Sequence, residues 1–136
     1  MRLFIDGNIL LDVLQNREPY VTESSIIWKL CETGQMEGYI STLTFANLVY
    51  IMRRELSPEK IEEVLKKLAL IFRFGELNAR DLTGAAALQW NDFEDAVQSV
   101  IAKRIRADFI ITRNIQDFRK SIIPALTPND FIGQIM

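Results

Sequence analysis

"LFIDGNILLDVL", Leu3 to Leu14, is the stretch whose reading sets the architecture. Arg2 to Asp6 read as a short buried strand, and Gly7 permits a tight turn. Ile9, Leu10, Val13 and Leu14 then recur at helical spacing over Asn8 to Gln15. A core strand that ends on a carboxylate poses a chemical question, because burying an unpaired charge costs several kcal/mol. Asp6 therefore needs a partner, a path to solvent or a metal.

The same alternation continues along the chain. Thr22 or Ser24 can cap a helix with Ile26, Ile27, Leu30 and Cys31 on one face, and "GYIST" follows as a second strand. A third helix opens at Thr44 or a neighbour and runs to about Glu55. "SPEK" starts a fourth, with Ile61, Val64, Leu65 and Leu68 inward and Lys60, Lys66 and Lys67 outward. "LIFRFGEL" predicts a third strand, "NARDLTGAAALQW" and "NDFEDAVQSVIAKRIR" two more helices, and "ADFIITRN" a fourth strand. A weak last strand near Pro124 to Thr127 precedes a terminal helix begun by "TPND". Strands alternating with helices predict an α/β three-layer sandwich, in which helices flank a central, mainly parallel sheet of four or five short strands. Working sites of such sheets lie outside the carboxyl ends of the strands, where Asp6 falls.

Length and composition narrow the chemistry. A chain of 136 residues suits one domain, residues 1–136, and 49% apolar with 25% charged residues is ordinary globular composition. No apolar run is long enough for a membrane span, and a strand begins at once with no leader pattern, so a cytoplasmic location is expected. The absence of histidine removes the common general base, the Ser-His triad and imidazole zinc sites. One cysteine, Cys31, removes disulfides and thiolate zinc sites and reads as a small apolar helix residue. What remains is carboxylate chemistry with Mg²⁺ or Mn²⁺.

Four places offer suitable oxygen donors. "IDGN" carries Asp6, with Asn8 expected to cap the helix or orient Asp6. In "NDFEDAVQSVIA", Phe93, Ala96, Val97, Val100 and Ile101 form the expected core face, leaving Asp92 and Asp95 one turn apart on a flank. Both also suit a first helical turn, which the macrodipole favours for acids. "ADFIITRNIQDF" ends its strand on Thr112, Arg113 and Asn114, with Asp117 three residues further on. "STLTFANLVYI" supplies Ser41, Thr42, Thr44 and Asn47. Asp12, later on the first helix, reads as solvated or capping. Converging carboxylates can hold a divalent cation that acidifies bound water and stabilises charge on a phosphoryl group.

On "LFIDGNILLDVL", "ISTLTFANLVYIM", "DFEDAVQSVIA" and "ADFIITRNIQDF" the chain resembles PIN domains, in particular the bacterial ones related to VapC-type toxin ribonucleases. The resemblance spans essentially the whole chain. Its most specific part is a DxxDA helix followed, about fifteen residues on, by TRNxxDF. It implies a Mg²⁺- or Mn²⁺-dependent endoribonuclease for single-stranded RNA. Asp6, Asp95 and Asp117 would be its catalytic metal ligands, Asp92 an extra carboxylate, and Thr112 an accompanying hydroxyl. Asn8, Thr44, Asn47, Arg113 and Asn114 would support the site, with Asn114 sharing the last acidic segment with Asp117. The resemblance also implies a homodimer and a small antitoxin partner.

The departure is at Asn47, where the family usually has a glutamate. An amide brings no charge, so a second reading is a PIN-fold binding module with weakened or absent catalysis. A haloacid dehalogenase-type phosphatase would require an aspartate where Asn8 stands, and a receiver domain lacks its phosphoacceptor and lysine. With a net charge of −2, RNA contact would need local basic groups: Arg53 and Arg54, Lys103, Arg104 and Arg106, or Arg113 with Arg119 and Lys120. Trp28 and Trp90 read as core or subunit-interface residues rather than a stacking platform.

Overall fold

The computed structural model describes residues 1–136. Five strands form one all-parallel sheet: β1 (Arg2–Ile5), β2 (Glu37–Ser41), β3 (Arg73–Gly75), β4 (Phe109–Ile111) and β5 (Ala125–Leu126). Their order is β3-β2-β1-β4-β5, so the chain works outward on one side of β1 and then crosses to the other. That reversal makes the carboxyl ends of β1 and β4 the switch point, where an open parallel sheet leaves a crevice. The register sets Ile5 beside Ile111, which aligns Asp6 and Thr112 as the next residues out.

Each face of the sheet carries its own core because side chains alternate along β1. Leu3 and Ile5 pack with Ile9, Leu10, Ile27, Trp28, Leu48, Leu68, Phe72 and Phe131, drawn from α1 (Gly7–Leu14), α2 (Val21–Glu32), α3 (Thr42–Met52), α4 (Pro58–Ile71) and α7 (Pro128–Ile135). Phe4 points the other way, among Ala85, Ala96, Val97, Ile101 and Phe118 from α5 (Ala79–Leu88), α6 (Phe93–Arg104) and a 3-10 turn (Ile115–Phe118). Strands covered on both faces must be apolar where they are covered, which is why Leu3 to Ile5 of β1 and Phe109 to Ile111 of β4 read as unbroken hydrophobic runs.

Local chemistry starts the helices. Ser41, Ser57, Asp92 and Thr127 each accept a backbone N–H as caps, and Asn78 with Asp81 forms a reciprocal capping box for α5. Asp81 also receives Arg104 Nε at 3.1 Å and Nη2 at 3.0 Å, clamping α5 to α6. A Cβ on Gly75 would stand 2.7 Å from Ile101 Cγ2, so glycine lets α6 lie directly on the sheet.

Several expectations change. α4 continues through Ile71, leaving only Arg73–Gly75 as β3, because Ile71 follows Leu68 at helical spacing onto the same core while Leu70 points to solvent. Ile26 and Phe93 are exposed rather than inward, the latter as the first residue of α6. Trp28 is a core residue, edge-on to Phe72. Cys31 is buried, which pushes its thiol up to about 12. No helix is long and apolar enough to cross a membrane.

Candidate functional site

Asp6 leaves β1 in extended conformation and occupies the position before α1, but its side chain does not cap that helix. Its N–H is donated to the Ile111 carbonyl at 3.0 Å. The carboxylate meets the other strand: Thr112 Oγ1, fully buried at the end of β4, donates to Asp6 Oδ2 at 2.8 Å and accepts the Asn114 N–H at 3.1 Å. Burial raises the Asp6 pKa, while Thr112, the Gly7 and Asn8 N–H groups and the Arg113 charge offset part of the rise.

The first turn of α6 brings the remaining carboxylates. Asp92 caps it, accepting the Asp95 N–H at 3.0 Å. Asp95 is pushed up to about 7, first by burial and then by Asp92, Asp117, Asp6 and Glu94. Glu94 is raised by burial, Asp92 and Asp6, and held down by a hydrogen bond from Asn47, whose Nδ2 donates to Glu94 Oε1 at 2.9 Å. Two depressions flank this turn. One of about 440 Å³ includes Asp6, Asn8, Thr44, Asn47, Tyr50 and Glu94 in its lining. The other, about 280 Å³, is bordered by Trp90, Asp92, Asp95, Asp117, Arg119 and Lys120.

The expected residues thus reach one edge of the sheet, with differences of detail. Asn8 caps nothing; its Oδ1 faces Arg17 Nη1 at 3.5 Å. Thr44 is buried, accepts the Ser41 hydroxyl at 3.0 Å, and presents its methyl 3.1 Å from where a Cβ on Gly7 would lie. Asn114 is exposed at the start of the 3-10 turn, and its carbonyl accepts the Asp117 N–H at 3.0 Å. Arg113 does not offer a free cation. Its Nε lies 3.0 Å from Asp12 Oδ2, and its guanidinium stacks 4.0 Å from the Tyr20 ring centroid. Asp12 is accordingly a buried ion-pair partner, with Ser24 Oγ donating to it at 2.9 Å, and not a solvated or capping residue. Arg104 is engaged with Asp81, whereas Arg119 and Lys120 form no ion pair.

Glu94 is the residue that motif reading passes over. Its only local signal is its place beside Asp95, and the contact that distinguishes it comes from α3. None of Asp6, Asp92, Glu94, Asp95 or Asp117 is ion-paired to a protein cation. As the side chains stand, no three acidic groups are close enough to hold one ion, so binding would require them to turn toward it. The donor set itself fits a hard divalent cation, being all oxygen and carrying negative charge that no ion pair neutralises.

These features define an α/β protein with a carboxylate cluster at the switch point of its sheet. The PIN domain model matches residues 2–116, and the chain belongs to the PIN domain family. Among solved structures, VapBC-1 from nontypeable Haemophilus influenzae superposes with a TM-score of 0.72 at 16% identity, covering 95% of this chain and 99% of that one. A toxin-antitoxin complex from Klebsiella pneumoniae gives 0.69 at 22%, covering 93% and 97%. VapC20 from Mycobacterium tuberculosis, a sarcin-ricin loop cleaving toxin, gives 0.63 at 11%, covering 79% and 86%. At these identities the likeness is one of fold. No curated protein matches the sequence.

Proposed function

We propose that the chain is a Mg²⁺- or Mn²⁺-dependent endoribonuclease acting on single-stranded RNA, and the toxin of a toxin-antitoxin pair. The observation that carries this reading is the gathering of five carboxylates at one sheet edge, none of them ion-paired to a protein cation. Such mutual repulsion is retained at functional sites and offset by a bound cation. When bound, the ion supplies charge neutralisation at a phosphodiester and acidifies a water molecule.

The chain's own residues have distinct tasks in this reading. Asp6, Asp95 and Asp117 provide the catalytic ligand charge, and Asp92 assists from its cap position. Thr112 orients Asp6. Asn8, Thr44, Asn47 and Asn114 shape the walls, and Arg113 keeps positive potential near Asp6 without leaving Asp12. Arg119 and Lys120, unpaired beside the acidic residues, draw in the RNA backbone. Relatives in fold solved as toxin-antitoxin complexes support a small antitoxin as partner. A homodimer in the cytoplasm completes the proposal.

Purified protein incubated with mixed single-stranded RNAs and Mn²⁺ is expected to cleave them, and Asp6→Asn and Asp95→Asn to abolish cleavage. Activity that survives both substitutions overturns the site. A parent protein that neither cleaves nor binds Mn²⁺ at millimolar concentration establishes the binding-module reading, which the uncharged Asn47 favours.

A further inference from the structure

Asn47 and Glu94 approach from different elements, α3 and the first turn of α6, and meet through a hydrogen bond of 2.9 Å. Only Glu94 Oε1 is engaged; Oε2 receives no protein donor, and the residue has no ion pair. The pair lines the same depression as Asp6. A neutral amide that fixes one oxygen of a carboxylate aims the group without neutralising it. Asp6 is treated in the same manner by the Thr112 hydroxyl, which holds Oδ2. Two aimed carboxylates, neither of them ion-paired, therefore line one depression, and a divalent cation is the species whose charge and oxygen preference suit them.

We infer that Glu94, aimed by Asn47, is a further ligand of the divalent cation and reaches it from the Asp6 side. The charge missing from α3 at position 47 is supplied from α6 instead. This inference rests on the metal-dependent reading above, and it assigns Asn47 as a positioning residue.

The test is Mn²⁺ titration by calorimetry on the full chain, at neutral to slightly alkaline pH, with thermal unfolding of every variant. Glu94→Gln removes the charge while keeping an acceptor for Asn47, and is expected to weaken Mn²⁺ binding about tenfold or more. Asn47→Ala is expected to give a smaller loss. The double change Asn47→Glu with Glu94→Gln returns the charge to α3, keeps the hydrogen bond with donor and acceptor exchanged, and is expected to bring affinity back near the parent value. Glu55→Gln, at an exposed carboxylate outside the lining of the depression, serves as the control and is expected to bind as the parent does. Parent-like Mn²⁺ affinity in Glu94→Gln overturns the inference and leaves the metal-dependent reading standing. A parent that binds no Mn²⁺ overturns both. Failure of the double variant to regain affinity overturns the exchange of charge between helices.

Discussion

Thr112 Oγ1 donates to Asp6 Oδ2 at 2.8 Å, joining two residues 106 positions apart at the ends of adjacent parallel strands. The hydroxyl is fully buried and its oxygen already accepts the Asn114 N–H, so its own hydrogen has one destination. The carboxylate is thereby held in one orientation at the switch point, and the turn after β4 is tied to the same group.

Thr112→Val keeps the shape and removes both hydrogen bonds. The loss is expected to destabilise the protein by about 1–3 kcal/mol in urea unfolding, because Asp6 and the Asn114 N–H lose their partner. Asp6 should also rise further in pKa, since Thr112 is the largest of the influences that lower it. Mn²⁺ affinity at neutral pH is expected to fall with it, and parent-like binding would contradict the orienting role.

Asp95, with Asp6 and Glu94 shifted in the same direction, makes the stability of the metal-free protein depend on pH. The Asp95 pKa is raised from 3.8 to about 7, so the folded chain holds the proton more tightly than the unfolded one. Stability therefore falls as pH rises from 3.8 toward about 7, with the full penalty present above that range and none below it. Asp95→Asn is expected to be the more stable protein in alkaline, metal-free buffer, by on the order of 1 kcal/mol given partial solvent screening. That advantage should vanish on acidification, and an advantage independent of pH would refute the electrostatic cause. Added Mn²⁺ is expected to stabilise the parent and not the variant.

Arg113 and Asp12 form a buried pair, and removing one member strands the other. Arg113→Met is expected to cost about 3–5 kcal/mol in denaturant unfolding. Combining it with Asp12→Asn should recover much of that loss, whereas simple addition of the two single effects would show that the residues are not coupled.

Arg119 and Lys120 border the depression that contains Asp92, Asp95 and Asp117 and are free of ion pairs. The double change to alanine is expected to weaken single-stranded RNA binding regardless of sequence. The slope of log affinity against log salt should also become shallower, by about 0.7 for each phosphate that the two side chains no longer neutralise, as read by fluorescence anisotropy. Unchanged affinity and slope would exclude this rim from the RNA path.

Much of the architecture is legible in local pattern. β1, α1, α6 and even the two-residue β5 follow from apolar spacing and caps, because backbone sterics and the burial of one face act over a few residues. The border between α4 and β3 was not legible, since a short apolar run such as "LIF" satisfies a buried strand and a buried helix end equally well. Asn8 looks like a cap by type, yet Asp6 occupies that position and Asn8 lies inside the helix.

The site divides along the same line. Residue chemistry in the sequence determined that any cation here would be held by oxygen, since no histidine exists and one buried cysteine does not make a thiolate cage. Chain order also placed Asp6 and Thr112 at strand ends. Only the tertiary structure decided that Arg113 belongs to Asp12, that Thr112 holds Asp6, and that Asn47 points Glu94 into the Asp6 depression. Periodicity is imposed by the backbone and is therefore local, whereas electrostatic partnership depends on separation in space, which the order of residues along the chain does not specify.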